Sequence, residues 1–508
     1  MDTPPIPARC TRLPGFIYCI ISTVGCIIIR FLLNGEKCIA LHFSIPYIII
    51  RIQGKCNGKL YELFREKGGI AVFPAAVNKV LGRLEEAGYE AYAVGGCVRD
   101  LLRGKSPVDW DMTTSARPEE VTALFAPHAV PTGLQHGTVT VRLEGQSFEV
   151  TTFRKDGAYT DARHPSTVTF SHSLREDLCR RDFTVNAMAM DRRGCLTDPF
   201  GGQEDLRQGI LRCVGEGERR FSEDALRIMR GLRFAAVMNF TIEADTARSI
   251  RENRERLKNI AIERILTETD KLLCGEGAGR VLLAYPEVFG VFLPELLPCV
   301  GFDQRSQYHC YTVWEHIVHS VEAIAPEPVL RWAMLLHDVG KPACFTVDEQ
   351  GAGHFYGHDQ VGGDMAADIC RRMRMDKQRS ARIELLVRRH GSALPDTKRG
   401  MLRLLNAIGE EALRQLIAVK RADNRAQAAQ FRTRQRDLDR SEQLLEEVLA
   451  GQPCFDLHQL AVNGRDLMAL GYEGRAIGEM LQVLLQKVWE NELPNEREAL
   501  LRWVEEQT

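Results

Sequence analysis

A predicted strand, a pair of glycines and a predicted helix follow one another near residue 95, and this order constrains the fold more than any other feature of the chain. Residues 89–94 (Tyr-Glu-Ala-Tyr-Ala-Val) favour a strand, and residues 97–102 favour a helix. Gly95 and Gly96 between them let backbone N–H groups approach a ligand, while the helix dipole favours negative charge there. We therefore predict an anion site at this turn, to which Arg99 adds a guanidinium.

Two aspartates follow that helix. Residues 108–113 are predicted to form a short strand, in which alternation puts the side chains of Asp109 and Asp111 on the same face. Two neighbouring carboxylates repel each other, and a divalent cation relieves that repulsion. An isolated Asp-x-Asp is more often a polar face on an edge strand, but behind a glycine turn we favour a Mg²⁺ site.

A predicted hairpin at 139–143 and 146–150 supplies a further carboxylate. Glu149 alternates with the apolar residues Phe148 and Val150, so its side chain is expected beside the two aspartates. It is predicted either as a third carboxylate of the metal site or as the partner of a neighbouring basic group. Residues 154–175 are rich in Asp, Gly, His, Pro and Ser, and we predict a mobile loop there.

These motifs resemble those of a known family. The segments 95–100 (Gly-Gly-Cys-Val-Arg-Asp) and 109–111 are similar to the signature of nucleotidyltransferases related to DNA polymerase β. Segment 180–188 (Arg-Arg-Asp-Phe-Thr-Val-Asn-Ala-Met) resembles the second motif of class II tRNA nucleotidyltransferases, the bacterial CCA-adding enzymes and their poly(A) polymerase relatives. Segments 198–202 and 223–230 follow in the order of that family.

The resemblance implies addition of cytidine, cytidine and adenosine to the 3′ end of tRNA from CTP and ATP, without a nucleic-acid template and with release of pyrophosphate. In that interpretation Asp109 and Asp111 are the catalytic residues and hold Mg²⁺. The residues implied to bind the nucleotide are Gly95, Gly96, Arg99, Arg181, Asp182, Asp224, Arg227, Arg230 and Arg233, with Glu149, Arg154 and Glu223 in support.

Base selection is implied for Asp224 and Arg227, which are expected to share a helix face because they are three residues apart. A carboxylate accepts from an exocyclic amino group, which cytosine and adenine carry and uracil lacks, and a guanidinium donates to ring nitrogen or carbonyl oxygen. Arg230 and Arg233 continue the same side towards the triphosphate, and Asp182 suits the ribose hydroxyls. An exposed helix with ordinary ion pairs is the alternative.

A second set of metal-ligating residues lies further along the chain. Its members are histidines and aspartates in predicted helical stretches: His316, His337, Asp338, His358, His390 and Asp423. Their order resembles the HD phosphohydrolase superfamily, which implies a transition-metal site and phosphatase or cyclic phosphodiesterase activity. The alternative is an HD fold that keeps its ligands and serves only to bind RNA.

Charge is unevenly distributed although the formal net charge is only −2. Residues 361–440 hold 19 Lys and Arg against 10 Asp and Glu, whereas 441–508 hold 5 against 13. The basic segment is predicted to meet tRNA phosphates, or else to form a solvated helical face. The tail at 440–508 is predicted to be helical and to position tRNA or pack against the body.

The first 58 residues differ from the rest and hold five of the 15 cysteines. Their apolar stretches at 16–29 and 39–50 allow a membrane anchor, but we favour an atypical extension that is not part of the mature enzyme. No Cys-x-x-Cys pair occurs, so the cysteines are interpreted as reduced thiols of a cytoplasmic protein.

The predicted architecture is α+β: a polymerase-β-like nucleotidyltransferase head at 70–200, then an all-α neck at 201–290, an HD body at 300–430 and a tail at 440–508. The partners are tRNA, CTP and ATP, with Mg²⁺ in the head, a transition metal in the HD domain and no membrane. The alternatives are an A-adding enzyme or poly(A) polymerase, a phosphohydrolase whose head only binds nucleotides, and a membrane-attached RNA-binding protein without catalysis.

Overall fold

The computed structural model describes residues 73–157, 168–306, 310–427, 434–451, 456–489 and 492–507, together with the backbone of five strands before residue 50. Those strands pair antiparallel in chain order: Arg9–Leu13, Phe16–Thr23, Cys26–Leu33, Glu36–Ser44 and Tyr47–Ile49. The apolar stretches considered as a membrane anchor therefore fall largely on strands. Among the described residues, no helix is both long enough and apolar enough to cross a membrane.

The chain divides into two compact units. The first contains Met1–Arg227 and Thr241–Ile250, and the second contains Ile228–Phe240 and Arg251–Thr508. The finer division into head, neck, body and tail stays a prediction.

A mixed seven-stranded sheet organises the first unit. One central pair of strands, Asp111–Thr114 with Gln146–Thr152, is parallel, and the other neighbours are antiparallel. The strands follow in the spatial order Leu196–Thr197, Ala189–Met190, Ala91–Val94, Asp111–Thr114, Gln146–Thr152, Thr138–Leu143 and Ala129–Gly133.

Alternation along the central strands separates a core face from a polar face. Phe148 and Val150 are buried, and they pack in one cluster with Val80 and Val121 from two covering helices. Glu149 between them is exposed, as its spacing predicted. The helices that begin in this unit are Ala75–Glu86, Gly96–Leu102, Pro118–Phe125, Leu174–Cys179, Gly202–Gln208, Gly217–Glu223, Leu226–Met238 and Ala244–Asn253.

The segment predicted as a mobile loop is partly regular. Arg154–Asp156 and Val168–Phe170 pair as an antiparallel ribbon, and the helix Leu174–Cys179 follows them. Residues 158–167 lie outside the described part of the chain. A further ribbon pairs Ile210–Leu211 with Thr241–Ile242 in parallel.

The second unit is helical apart from one small hairpin, Thr346–Val347 with Gly353–His354, within the residues described. This confirms the prediction of helices after the head. The helices that begin in this unit are Ile262–Leu273, Ala278–Ala284, Pro286–Phe289, Val313–Ala323, Pro328–Leu336, His358–Arg372, Lys377–Arg389, Lys398–Ile408, Glu410–Arg425, Arg434–Ala450, Gly464–Ala469, Arg475–Trp489 and Arg497–Glu505.

Partly buried polar contacts fix several of these helices against one another. The indole N–H of Trp332, a fully buried residue, donates to Asp270 Oδ1 over 2.7 Å, and Arg379 donates to Asp270 Oδ2 over 2.8 Å. Asp270 thus joins the helices that precede His337 and His390. Because the half-buried Asp270 carboxylate is bound by donors from both helices, these helices are held in position against each other.

Two candidate metal-binding sites

The glycine turn of the first unit has the predicted form. Gly95 adopts φ +80°, and its N–H donates to Met188 O over 3.1 Å. A Cβ atom on Gly95 would lie 2.9 Å from a guanidinium nitrogen at the movable end of the Arg181 side chain, so it is the positive φ that favours glycine here. The strand before the turn is shorter than predicted, Ala91–Val94, and the helix after it is Gly96–Leu102.

The predicted strand at 108–113 is wrong at its beginning. The strand starts at Asp111, and Asp109 lies in a bend before it. The physical reason is strand pairing. The neighbouring strand Ala91–Val94 pairs with this strand only as far as Met112, so residues 108–110 have no partner strand there. The two carboxylates are nevertheless close enough to interact. Desolvation raises the pKa of the Asp111 carboxyl, the guanidinium of Arg181 lowers it, and the charge of Asp109 raises it further.

Glu149 stands beside Asp111 as predicted. The two residues are register partners in the parallel pair of strands. Desolvation raises the pKa of the Glu149 carboxyl, and the charges of Asp111 and then Asp109 raise it further. Within the described structure, these three carboxylates do not bring their oxygens within 4.8 Å of one another. A cation here would therefore need further oxygen ligands, which a bound triphosphate offers.

Asp177, which the sequence interpretation did not select, connects this strand to the basic motif. The residue is fully buried, and its carboxylate accepts from Arg180 over 2.9 Å and from the Thr113 hydroxyl over 3.3 Å. A guanidinium nitrogen of Arg181 lies 3.6 Å away. Although burial alone would raise the pKa of Asp177, the two guanidiniums hold it below its usual range. Its spacing to both arginines, three and four residues on a helix, was the available signal.

Asp182 and Arg99 are brought together through an intervening amide. Asp182 Oδ1 accepts from the backbone N–H of Phe183 over 2.8 Å and from Asn186 Nδ2 over 3.2 Å. Asn186 Oδ1 in turn accepts from Arg99 over 2.7 Å. Arg99 also donates to both oxygens of Asp100, over 2.9 and 3.0 Å. The guanidinium implied to contact phosphate is thus held in a defined orientation beside Gly96.

The expected single helix through Asp224 and Arg227 is wrong. One helix ends at Glu223 and the next begins at Leu226, with Asp224 extended between them at φ −142° and ψ 106°. Asp224 Oδ1 accepts from the N–H of Leu226 over 3.0 Å, and its carbonyl accepts from the N–H of Arg227 over 3.0 Å. Aspartate favours such a capping position over a helix interior, which explains the break.

Arg227 is held by partners of its own unit. Its guanidinium lies 2.6 Å from Glu223 Oε2 and donates to the carbonyls of Arg220 and Arg180, each over 3.1 Å. Arg154, predicted as a supporting residue, donates to the carbonyl of His136. Arg227 therefore ties the basic motif at 180–182 to the break that Asp224 occupies.

Arg230 and Arg233 belong to the second unit. The guanidinium of Arg233 forms an ion pair with Glu268 at 2.5 Å and lies 4.0 Å from the ring centre of Phe234. That of Arg230 lies 5.4 Å from the same ring. The triphosphate role implied for these two arginines stays a prediction.

The second candidate site lies within the second unit, where all six predicted ligands converge. His316 lies on the helix Val313–Ala323, and His337 and Asp338 follow the helix Pro328–Leu336. The remaining three are His358 at a helix start, His390 just after a helix end, and Asp423 on the helix Glu410–Arg425.

Asp338 lies at the centre of this histidine–aspartate cluster. Its Oδ2 is 3.3 Å from His316 Nε2 and 3.2 Å from His337 Nε2. Its Oδ1 is 3.5 Å from His358 Nε2 and 3.6 Å from His390 Nε2. Within each of two groups of three residues, the ligand atoms all lie within 4.8 Å of one another. The groups are His316, His337 and Asp338, and Asp338, His358 and His390. The cluster thus offers two adjacent cation positions that share one carboxylate.

The imidazoles are oriented for ligation. The Nδ1 atoms of His337, His358 and His390 lie 2.6–2.7 Å from the backbone carbonyl three residues earlier in each case. A carbonyl can only accept, so Nδ1 carries a proton, and in the neutral imidazole that binds a metal Nε2 would present its lone pair towards Asp338. Proteins commonly orient histidine ligands for a metal ion in this way, with one ring nitrogen bonded to a carbonyl and the other left for the metal. The donor set of imidazoles and carboxylates fits a transition metal.

Lys341 is a further member of the cluster that the sequence interpretation missed. Its ammonium lies 2.7 Å from Asp338 Oδ2 and donates to Gln304 Oε1 over 2.9 Å. Burial alone would raise the pKa of Asp338, but His337 and Lys341 hold it well below its usual range. Asp423 completes the first position, with Oδ1 3.0 Å from His316 Nε2. Burial lowers the pKa of His316.

Three family models match successive parts of the chain. The "Poly A polymerase head domain" matches residues 91–212, the "Probable RNA and SrmB- binding site of polymerase A" matches 239–299, and "tRNA nucleotidyltransferase domain 2 putative" matches 362–504. A CCA-adding enzyme of Lactiplantibacillus plantarum is 35% identical over 433 residues, which are 84% of this chain and 94% of that enzyme. The chain belongs to the family of CCA-adding enzymes.

Other members of the family agree with this assignment. The CCA-adding enzyme of Geobacillus stearothermophilus is 44% identical over 262 residues, 51% of this chain, and the match spans 62% of that enzyme's own length. A crystal structure of the Bacillus stearothermophilus CCA-adding enzyme in complex with CTP is 32% identical and superposes with a TM-score of 0.64, covering 85% of this chain and 96% of that one. The Thermotoga maritima CCA-adding enzyme complexed with tRNA has a TM-score of 0.52 at 20% identity over 85% and 95% of the two chains, which indicates a shared fold.

Proposed function

We propose that this chain adds cytidine, cytidine and adenosine to the 3′ end of tRNA, using CTP and ATP without a nucleic-acid template. The observation that supports this most directly is the placement of Asp111 and Glu149 as register partners, with Asp109 near enough to raise both pKa values. These carboxylates lie in the unit that contains the Gly95 turn. Carboxylates beside an anion-binding turn suit a metal–triphosphate substrate.

In the proposed reaction, the oxygen of the RNA 3′-hydroxyl attacks the α-phosphorus of the incoming nucleotide. The bond to pyrophosphate breaks, and the hydroxyl proton passes to water. Asp109 and Asp111 would hold Mg²⁺, which supplies activation of the hydroxyl and neutralisation of the triphosphate charge. The adjacent carboxylates fit this ion, because their mutual repulsion favours a cation between them. Arg181, near enough to lower the Asp111 pKa, orients the phosphates.

Base selection would fall to Asp224 and Arg227. Asp224 is half-buried in extended backbone, and Arg227 is fixed by Glu223 and two carbonyls. A carboxylate acceptor next to a fixed guanidinium donor matches the Watson–Crick edges of cytosine and adenine and rejects uracil. Asp182, positioned by Asn186, accepts from the ribose 2′-hydroxyl and so favours ribonucleotides.

A single-turnover extension assay tests this proposal. The full chain meets tRNA lacking CCA, tRNA ending in CC and an unrelated oligonucleotide, with Mg²⁺ and each nucleoside triphosphate in turn. We expect C, C and A to be added to tRNA only, and Asp109→Ala with Asp111→Ala to abolish the reaction. Asp245→Ala, at an exposed surface aspartate of the same unit, is the matched control.

Other outcomes separate the relatives. Addition of A to CC ends alone would identify an A-adding enzyme, and unlimited A tails on any RNA would identify a poly(A) polymerase. If no nucleotide is added to any RNA, the proposal fails.

A second function is proposed on the convergence of the six ligands around Asp338. We infer that this cluster holds a transition metal and hydrolyses phosphate esters: a water oxygen attacks phosphorus, the ester P–O bond breaks, and the alcohol leaves with a proton. His316, His337, Asp338 and Asp423 would hold one ion, and Asp338, His358 and His390 a second. Such ions supply an activated water and a Lewis acid.

The metal content of the purified full chain tests this inference together with hydrolysis of a phosphate-ester panel. His337→Ala with Asp338→Ala should remove both the bound metal and the hydrolysis. His319→Ala changes a part-exposed histidine on the same helix as His316 and should leave both intact. A chain that binds metal at the cluster and hydrolyses nothing would leave only a structural or RNA-binding body.

A further inference from the structure

A pair of stacked rings stands on the small hairpin next to the histidine–aspartate cluster. The rings of His354 and Tyr356 have centroids 5.4 Å apart and planes only 8° from parallel. Tyr356 is 78% exposed, and it is the one phenylalanine, tyrosine or tryptophan in the exposed class among the side chains that the structure describes. The other described Phe, Tyr and Trp rings are at least partly buried, so the exposure of this ring indicates a binding role rather than a packing role.

Hydrogen bonds hold this pair in place. His354 Nε2 lies 2.7 Å from Asp348 Oδ2, and the Tyr356 hydroxyl lies 3.4 Å from His354 Nδ1. The other oxygen of Asp348 accepts from the backbone N–H groups of Gln350 and Ala352, which closes the hairpin turn. The exposed ring is therefore pre-organised, so a ligand that stacks on it pays little further ordering entropy.

The hairpin is anchored to the ligands of the cluster through two routes. Gly353 packs so closely against the backbone at Gln304 that a Cβ atom on Gly353 would lie 2.3 Å from Gln304 O. The side chain of Gln304 accepts a hydrogen bond from Lys341, and Lys341 is the ion-pair partner of Asp338. Phe355 O accepts from His358 Nδ1 over 2.7 Å, and the Phe355 ring lies 5.3 Å from the Lys341 ammonium.

Alternation decides which residues face outwards. Phe355 is turned towards Lys341, and Tyr356, next along the chain, is left in solvent. Tyr356 precedes the ligand His358 by two residues, a separation of at most about 7 Å between their Cα atoms. The ring thus stands two residues along the chain from a predicted ligand of the cluster, on the hairpin that Gln304 and Phe355 connect to that cluster.

We propose that Tyr356, backed by His354, is a stacking platform for the nucleobase of the phosphate ester that is hydrolysed at the histidine–aspartate cluster. The substrate class is then a nucleotide or an RNA end, rather than a phosphate ester without a base. This inference rests on the second proposed function. Nucleobases stack on tyrosine irrespective of their sequence, so the platform recognises a base without selecting among the four.

The test compares esters with and without a base, using the metal-loaded full chain. The 2′-, 3′- and 5′-monophosphates of adenosine and 2′,3′-cyclic AMP are the base-containing esters, and ribose 5-phosphate and glycerol phosphate are the base-free ones. Tyr356→Ala should raise KM for the base-containing esters roughly ten-fold with kcat nearly unchanged, and should leave the base-free esters unaffected. Tyr356→Phe keeps the ring and should restore the wild-type KM.

Val347→Ala is the matched control, because it removes an exposed side chain from the same hairpin without touching the rings, and it should behave as wild type. An equal change for both classes of ester, or no change in either, would overturn the platform. Slower nucleotide addition to tRNA in Tyr356→Ala would also overturn it, since the ring would then serve RNA in the other reaction.

If no ester is hydrolysed, the phosphohydrolase proposal fails and binding decides the platform separately. Calorimetric titration of AMP into the full chains of Tyr356→Ala and Val347→Ala compares two variants with the same unaltered nucleotidyltransferase site, so a difference in affinity between them reports on the second unit. A roughly ten-fold weaker affinity in Tyr356→Ala than in Val347→Ala would support the platform, and equal affinities would refute it.

Discussion

The two candidate sites use similar ligands in opposite ways. At the first, Asp109 and Asp111 are exposed, and they lie in a bend and at the start of a strand. Their carboxylate oxygens and those of Glu149 do not all lie within 4.8 Å of one another. At the second, His316, His337 and Asp338 are almost fully buried, and two groups of ligand atoms are already assembled. The difference suggests that the substrate completes the first site, whereas folding alone completes the second.

Electrostatics follow the same division. At the first site, desolvation and then the repulsion between the carboxylates raise the pKa values of Asp111 and Glu149. The central carboxylate of the second site is surrounded by donors, and the pKa of Asp338 is held low despite its burial. A cation that arrives with a triphosphate relieves the first arrangement, while a resident ion would replace protons and the Lys341 ammonium at the second.

The largest expected effect separates the sites by activity. Asp111→Ala should slow nucleotide addition about a thousand-fold or more, because metal binding and positioning act as one unit. The metal content of the second unit should stay unchanged, which single-turnover extension and elemental analysis of the same sample will measure. Loss of that metal together with the activity would show that the two sites are not independent.

Asp177→Asn should destabilise the first unit by about 3 kcal/mol, since it leaves Arg180 and Arg181 beside a buried residue without its charge. Denaturant unfolding measures the stability, and nucleotide titration measures whether KM for CTP rises as Arg181 loses its position. Asp198→Asn, which retains a side-chain acceptor at a helix start, is a milder control. Unchanged stability would mean that Asp177 is not the connecting residue of this site.

Metal-dependent stability distinguishes a preassembled site from one that its substrate completes. A transition metal at about 100 times its dissociation constant should stabilise the second unit by roughly 2.7 kcal/mol. Mg²⁺ alone should shift the melting of the first unit little, and Mg²⁺ with CTP should shift it clearly. Calorimetry with and without a chelator records both transitions, and a large shift by Mg²⁺ alone would contradict the comparison.

The smallest effect concerns the repulsion at the first site. Because the folded-state pKa values of Asp111 and Glu149 are raised, the folded state binds these protons more tightly than the unfolded state. Stability therefore falls as pH rises from about 4 through the raised pKa values. Asp111→Asn should remove the Asp111 part of this loss, while Glu149 keeps the rise that its desolvation causes, and it should stabilise the unit by up to about 1 kcal/mol at neutral pH, although it abolishes activity.

Unfolding of Asp111→Asn at several pH values checks that sign. The gain should vanish at acid pH, where the native carboxyls are protonated too. A variant that is less stable than the native chain at neutral pH would show that the carboxylates do not repel.

Local chemistry made much of the first unit predictable. The helix Ala75–Glu86, the glycine turn and the hairpin joined by Glu144 and Gly145 all follow from apolar periodicity and turn residues. The errors occurred where pairing or capping competes with periodicity. Asp109 lacks a strand partner, and Asp224 caps a helix instead of continuing one.

The order of motifs along the chain was enough to identify the family and to predict the six residues that converge in the histidine–aspartate cluster, because residue type and spacing encode the chemistry of a site. Only the tertiary structure showed that Asp177 joins Thr113 to Arg181, that Lys341 faces Asp338, and that Tyr356 is the one Phe, Tyr or Trp in the exposed class among the described side chains. Contacts of this kind depend on burial and on segments far apart in sequence. Periodicity describes one segment at a time and carries no information about which other segment packs against it.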